Sequence, residues 1–314
     1  MNQINSKKVA LVFPGQGSQQ IGMGQDFYST EPDAKNAFSI VNKECDFDLL
    51  KLCAIGPEEA LKRTCYTQPA LLASSAASLQ ALRRYWTEDP LCVAGHSLGE
   101  FSALWAAGAL TLKSTAELVV LRGQLMENAA PGAMAAILGL TAEQVKAVCD
   151  ECEIVVANYN TPTQQVISGK KENLEKSFAK FAELKGKVIP LQVGGAFHSP
   201  LMDEANEKFS EAIKQSTFNN AICPVIQNID AKAYTDATDL KSNICKQMTS
   251  SVLWVETIQN MLSLGTEAFV EVGSGKVLGG LIKKIDRAAT VLQVSDTESL
   301  KATLENLGQL AAVS

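Results

Sequence analysis

Residues 91–108, LCVAGHSLGEFSALWAAG, place a serine between two glycines where a short apolar run passes directly into an alanine-rich helical stretch. A strand-to-helix turn this tight has no room for side chains at its flanks, and Gly95 and Gly99 meet that condition. Ser97 then stands exposed at a helix N-terminus, where the helix dipole and the amide of Leu98 favour an oxyanion. The five residues alone also fit a turn that merely starts a helix. With the strand before and the helix after, the pattern is that of a nucleophile elbow, and it requires an α/β fold around it.

The remaining composition narrows the partners. At 314 residues, 46% hydrophobic and 20% charged, the chain can bury one large core and a smaller second one. A net charge of -6 offers no counterion-release drive for nucleic acid, so no nucleic-acid partner is expected. Apolar runs are all shorter than the ~20 residues of a membrane span, so no membrane partner is expected either. Eight cysteines at irregular spacing, with no secretory pattern in MNQINSKKVALVFPG, suit a reducing cytoplasm. Cys149 and Cys152 form a CxxC, but with two histidines in the chain and no second CxxC it lacks zinc ligands. It also closes a helical run where a redox motif would open one, and no metal is expected.

Taken in order, VALVF at 9–13 reads as a buried strand ending in Pro14-Gly15-Gln16-Gly17-Ser18-Gln19-Gln20. This loop is either a simple turn or a place for backbone amides to approach a ligand at the carboxyl edge of a sheet. It is no phosphate loop, since GK[ST] is missing. Residues 33–62 read as helices broken by loops. Thr67 is expected to cap the helix TQPALLASSAASLQALRRYW, with Pro69 in its first turn and small residues that let it pack closely against the elbow.

A helix at 113–129 carries Leu118, Arg122 and Met126 at i, i+4, i+8, which places a guanidinium on an apolar stripe. Buried arginine needs an anion. That anion is either an internal carboxylate or one that arrives with the substrate.

From Gly132 to Val193 the pattern becomes β-α-β-β-α-β, a ferredoxin-like order expected to wall the cleft beside the elbow. The expected fold is α/β: a large α/β-hydrolase-like domain with a parallel-rich sheet, residues 1–130 and 197–314, and a small ferredoxin-like insert, residues 131–196. The insert ends in GGAFHS. His198 there is the expected base, because the other histidine, His96, adjoins the serine and points elsewhere. ICPVIQNI reads as a strand, DLKSNICKQ and VLWVETIQNMLSLG as helices, AFVEVG as a strand, and Gly273-Ser274-Gly275-Lys276 as a tight turn into a further helix.

With these elements in this order, the sequence resembles the malonyl-CoA:acyl carrier protein transacylases of fatty acid synthesis over nearly its whole length. The resemblance rests on FPGQGSQ (13–19), GHSLGE (95–100), RGQLMENA (122–129), NYNTPTQQVISG (158–169), GAFHSPLM (195–202), QMTSSVLW (247–254) and EVGSGKVL (271–278). It implies that Ser97 is acylated, that His198 is general base and acid, and that a neutral carbonyl near Gln247 orients His198. It further implies oxyanion amides from Gln16 and Leu98, and Arg122 as holder of the malonyl carboxylate. Malonyl would pass from coenzyme A to Ser97 and then to the phosphopantetheine thiol of acyl carrier protein, with no bound cofactor beyond the coenzyme A thioester as substrate. Phe197 looks like the malonyl-selecting form of its loop, and Met126 and Phe197 are expected to form an apolar wall that denies water to the acyl-serine. The chain departs from the family pattern at Ser251 and Ser274, where proline is expected.

Three other readings fit parts of this pattern. In an α/β-hydrolase esterase or thioesterase the histidine lies late in the chain, and none follows His198. A polyketide acyltransferase for another carboxylated unit differs by as little as one methyl group, worth about 1–3 kcal/mol. A non-catalytic binding module would not need Ser97 and His198 together. An acidic carrier protein would seek basic surface, for which Lys185, Lys187, Lys283, Lys284 and Arg287 are candidates. No segment points to self-assembly, so a monomer is expected.

Overall fold

A computed structural model describes residues 5–308. Strand β1 (Val9–Phe13) is fully buried. It leads through short helices α1 (Gln25–Thr30), α2 (Pro32–Glu44), α3 (Leu49–Ile55) and α4 (Glu58–Leu61) into the long α5 (Thr64–Arg83). Strand β2 (Cys92–Gly95) then turns into α6 (Gly99–Ala106), and α7 (Leu112–Glu127) follows. Next come β3 (Ala133–Leu138), α8 (Ala142–Glu151), β4 (Val155–Thr161), β5 (Gln164–Gly169), α9 (Lys171–Glu183) and β6 (Lys187–Pro190). The remainder is α10 (Asp203–Gln215), β7 (Val225–Ile226), β8 (Ala233–Tyr234), α11 (Ala237–Ile244), α12 (Trp254–Ser263), β9 (Ala268–Val272), α13 (Val277–Ile285), β10 (Thr290–Val294) and α14 (Thr297–Asn306).

Two sheets result. The larger runs β10-β9-β1-β2-β7-β8, parallel throughout except for the two-residue edge strand β8. Its inner strands β9, β1 and β2 are buried on both faces, which explains why β1 and β2 read as unbroken apolar runs; β9 is interrupted by the buried Glu271, which accepts from the amides of Leu278 and Gly279. The smaller sheet runs β4-β5-β3-β6, antiparallel at every pairing. With α8 and α9 packed on it around Ile137, Ile167 and Phe181, it has the β-α-β-β-α-β order expected.

Register positions the site. Phe13 pairs with Gly95, so the loop after β1 and the elbow after β2 leave the same sheet edge side by side. They touch: a Cβ on Gly15 would lie 2.3 Å from the His96 carbonyl oxygen. Helix α5 packs against α2, α6 and α7, its alanines and serines buried along most of its length.

Two expectations need correction. Helix α5 begins at Thr64, three residues before the predicted cap. The amide of Thr67 already donates to Arg63 O, and its hydroxyl donates to Leu61 O at 2.5 Å. Arg63, with extended backbone, separates α4 from α5 and is the cap of α5, and Pro69 lies inside the helix beyond its first turn. The strand predicted from Ile222 shrinks to Val225–Ile226, because Gln227 and Asn228 turn their side chains inward to buried partners.

Cys149 is buried in α8, its thiol pushed up to about 12 chiefly by burial, and Cys152 caps that helix's C-terminus. Among the described residues, no helix is long and apolar enough to cross a membrane.

Candidate active site

The elbow is built by exclusion of side chains. A Cβ on Gly95 would lie 1.9 Å from the Gly99 carbonyl carbon, and one on Gly99 would lie 2.0 Å from Phe13 O. Between them Ser97 takes a left-handed backbone, φ 51°, which costs a non-glycine residue about 1–3 kcal/mol and needs support from its surroundings. Asn228 gives that support: its Oδ1 accepts from the Ser97 amide at 2.8 Å and its Nδ2 donates to Gly95 O at 2.7 Å.

His198, also left-handed at φ 56°, comes from the loop after β6. The Ser97 hydroxyl lies 2.7 Å from its Nε2. Its Nδ1 faces two backbone carbonyls, Ser250 O at 2.9 Å and Gln247 O at 3.1 Å. Carbonyls only accept, so Nδ1 carries the proton and Nε2 is free to take one from Ser97. Burial, then the nearby Arg122 charge, drives the His198 pKa down to about 3, which keeps the ring neutral. Among the described residues no carboxylate contacts this histidine; the carbonyls of Gln247 and Ser250 take that position.

His96 points away from the serine. Its Nε2 lies 2.8 Å from Asn160 Oδ1 on β4, and its ring meets Trp254 edge-on.

Arg122 is buried in α7, as its stripe implied, and its pKa falls to about 10 through burial, so it remains a cation at neutral pH. Nη1 donates to Gln68 Oε1 at 2.8 Å; Nη2 donates to Gln247 Oε1 at 3.0 Å and to Ser97 Oγ at 3.1 Å. Its hydrogen-bond partners are neutral oxygens. The internal salt bridge that was one of its two readings is absent among the described residues. A buried guanidinium held only by neutral acceptors, with one nitrogen beside the nucleophile, is prepared for an incoming anion.

A cavity of about 100 Å³ opens over these groups, lined by Gln16, Ser97, Leu98, Arg122, Met126, Phe197 and His198, with Met134, Asn158, Leu191 and Val193 from the smaller sheet and its exit loop. All the predicted site residues but Gln247 therefore line one space, and Gln247 lies directly beneath it. Leu98 is the N-cap of α6, with the amides of the first turn just after it. A larger open groove of about 780 Å³ between α10 and α11 contains neither the serine nor a histidine.

Sequence reasoning missed Gln68, Asn228 and Ser250. Gln68, in the second turn of α5, also donates to Met126 Sδ at 3.2 Å, so it fixes both the guanidinium and the cavity wall. The two departures from the family pattern form hydrogen bonds of their own: Ser251 Oγ donates to Val156 O at 2.7 Å and Ser274 Oγ to Ser18 O at 2.8 Å.

The chain matches the acyl transferase domain family over residues 10–301. It is 41% identical to the malonyl CoA-acyl carrier protein transacylase of Bacillus subtilis over 310 residues, 96% of this chain and 97% of that one. A Staphylococcus aureus protein of the same name is 40% identical over 308 residues, 95% of this chain and 99% of its own. Among solved structures, an acyl carrier protein S-malonyltransferase from Vibrio cholerae superposes with a TM-score of 0.91 at 38% identity, covering 94% of this chain and 99% of its own. A malonyl-transacylase solved in complex with a type II PKS acyl-carrier protein gives a TM-score of 0.91 at 36% identity, covering 95% and 99%. With the fold, the elbow and the matched length in agreement, the chain belongs to the acyl transferase domain family, among its malonyl CoA-acyl carrier protein transacylases.

Proposed function

We propose that this protein moves malonyl from coenzyme A to the phosphopantetheine thiol of acyl carrier protein in fatty acid synthesis, through an acyl-enzyme on Ser97. The observation that carries this reading is Arg122: a buried cation that forms no ion pair among the described residues, 3.1 Å from the nucleophile oxygen. An acyl group ending in a carboxylate completes that site, and an uncharged acyl group leaves the guanidinium without an ion-pair partner.

The steps follow from the contacts. Ser97 Oγ attacks the thioester carbonyl while its proton passes to His198 Nε2. The tetrahedral oxyanion is held by the backbone amides of Leu98 and Gln16. Collapse breaks the carbon–sulfur bond, and His198 returns its proton to the departing thiolate of coenzyme A. The carrier's thiol then gives its proton to His198 and attacks the acyl-serine carbonyl; collapse breaks the bond from the acyl carbon to Ser97 Oγ, His198 returns the proton to Oγ, and the malonyl thioester of the carrier leaves. Gln247 O and Ser250 O hold the imidazole in the required tautomer throughout and receive no proton. Met126 and Phe197, with Leu191 and Val193, form a wall that keeps water from the ester between the two half-reactions.

The smaller sheet, read as an inserted unit over 131–196, closes one side of this cleft. The protein acts as a monomer in the cytoplasm, without a bound cofactor. Carrier proteins of polyketide synthesis are a second class of acceptor, favoured by the similarity to a transacylase solved with one; the chemistry is the same.

Arg122→Ala tests the assignment. Malonyl loading falls on the order of 10²-fold, the value of charge-assisted hydrogen bonds worth about 3 kcal/mol, while uncharged acyl groups gain relative to malonyl. Unchanged selectivity between malonyl- and acetyl-CoA contradicts it.

A further inference from the structure

Glu100 has no role in the steps above, yet it is buried directly beneath them, 1% exposed in the first turn of α6. No lysine or arginine lies within ion-pair distance of it among the described residues. Its two oxygens are met by three N–H donors: Gln227 Nε2 to Oε1 at 3.1 Å, and Asn228 N and Gln247 Nε2 to Oε2 at 3.2 and 2.9 Å. Three donors on two oxygens suit a carboxyl group, which can accept at about four positions. Burial opposes its charge and pushes the pKa up to about 7; the donors and the Arg122 field pull it down.

The link to the reacting groups runs through one side chain. Gln247 Nε2 spends both hydrogens on acceptors, Glu100 Oε2 and Ser97 O at 2.8 Å, so its Oε1 must face Arg122 Nη2. That contact helps direct Nη2 onto Ser97 Oγ. Reversing the amide would set an oxygen against a carboxylate and a carbonyl, and an NH₂ against a guanidinium. The Gln227 side cannot yield either, because its Nε2 also donates to Leu240 O while its Oε1 accepts from Asn243.

We propose that Glu100 is a positioning residue for recognition of the acyl-group carboxylate: it fixes the polarity of the Gln247 amide, which holds the Arg122 guanidinium in line with Ser97. The inference rests on Arg122 as the carboxylate holder.

The test is the ratio of malonyl-CoA to acetyl-CoA loading in Glu100→Gln, read beside Arg122→Ala and the wild type. The substituted amide would present an NH₂ to one of three donors that cannot turn away, so the Gln247 amide loses its fixed polarity. The expected result is a fall in the malonyl-to-acetyl ratio of at least 10-fold, carried mainly by the malonyl KM, with acetyl loading within about twofold of wild type. Equal losses for both thioesters, or no change in the ratio, overturn the proposal and leave Glu100 a structural residue. If Glu100→Gln does not fold, Glu100→Asp reads the same quantity. It keeps the charge but shortens the reach, so a ratio between wild type and Arg122→Ala is expected, and a wild-type ratio overturns the proposal. If Arg122→Ala itself leaves the ratio unchanged, the carboxylate-holding assignment fails first; if Arg122→Ala lowers it and the Glu100 variants do not, only this inference fails.

Discussion

At the scale of single residues, His198 and Glu100, both buried near Ser97, work in opposite directions on pH. His198 has its pKa lowered to about 3 by burial and by Arg122, so in the folded protein it stays neutral while an unfolded chain takes up a proton near 6.5. Its contribution to stability is therefore complete above about 6.5 and is lost as pH falls toward 3. The same shift sets catalysis: the acid limb of malonyl loading is expected well below the ordinary histidine range, and a limb at 6.5 in a pH–kcat/KM profile contradicts the geometry. Glu100 has its pKa raised to about 7, so the folded state holds a proton there that the unfolded state releases from about 4.5 upward. Stability from this group falls as pH rises from 4.5 to 7. Relative to wild type, Glu100→Gln should gain thermal stability steadily across that window, by at most ~1.4 kcal/mol per pH unit. A difference in Tm that stays flat between pH 4.5 and 7 shows that Glu100 does not titrate there.

At the scale of elements, the elbow and α7 carry the account. Gly99 is required by approach and not by dihedral: its φ is ordinary, but a Cβ would lie 2.0 Å from Phe13 O at the end of β1. Gly99→Ala must push apart β1 and the start of α6, with an expected loss of about 1–3 kcal/mol in denaturant unfolding and a larger loss of loading rate. Thr111→Ala is the contrasting case. It removes the hydroxyl that caps α7 at Ser114 N, 3.1 Å away, and should cost about 1 kcal/mol of stability with the malonyl preference intact. These elements were legible because backbone geometry left marks in the sequence: glycines at both flanks of Ser97, and a lone arginine on an apolar helical stripe. Gln68 left no such mark, since a glutamine in a serine- and alanine-rich helix reads as a surface residue until α7 is packed against it. Ser250 was equally hidden, because a backbone carbonyl that accepts from His198 can belong to any residue type. The α5 start was misread for a related reason: Thr67 has the identity of a cap, but its amide already donates to the carbonyl of Arg63, the actual N-cap of α5.

At the scale of the whole molecule, the site exists only where the two sheets meet. The larger sheet supplies Ser97 and, on its helices, Arg122; the smaller supplies Asn158 and Met134, and the loop leaving it supplies His198. They are joined by His96 to Asn160, by Ser251 to Val156, and at the surface by Lys284 Nζ to Gln164 Oε1 at 3.4 Å. The change of periodicity after Gly132 coincides with the passage from the larger sheet to the strands of the smaller one, whereas the contacts between the sheets were not legible, being single side chains distant in sequence. The exposed Lys185, Lys187, Lys283, Lys284 and Arg287 lie along the α9–β6 stretch and at the end of α13, where they offer positive charge to an acidic carrier protein. Alanine at Lys185, Lys187, Lys283 and Arg287 should raise KM for carrier protein several-fold and leave KM for malonyl-CoA unchanged; equal changes in both exclude docking there. The central claim, transfer through an acyl-serine, is tested most directly by intact-mass spectrometry of the protein mixed briefly with malonyl-CoA, beside Ser97→Ala, with phosphopantetheinylated carrier protein added second. The account predicts a single malonyl adduct on the wild type, none on Ser97→Ala, and its rapid discharge to the carrier. No adduct on the wild type, or loss to water as fast without carrier as with it, contradicts the transfer mechanism.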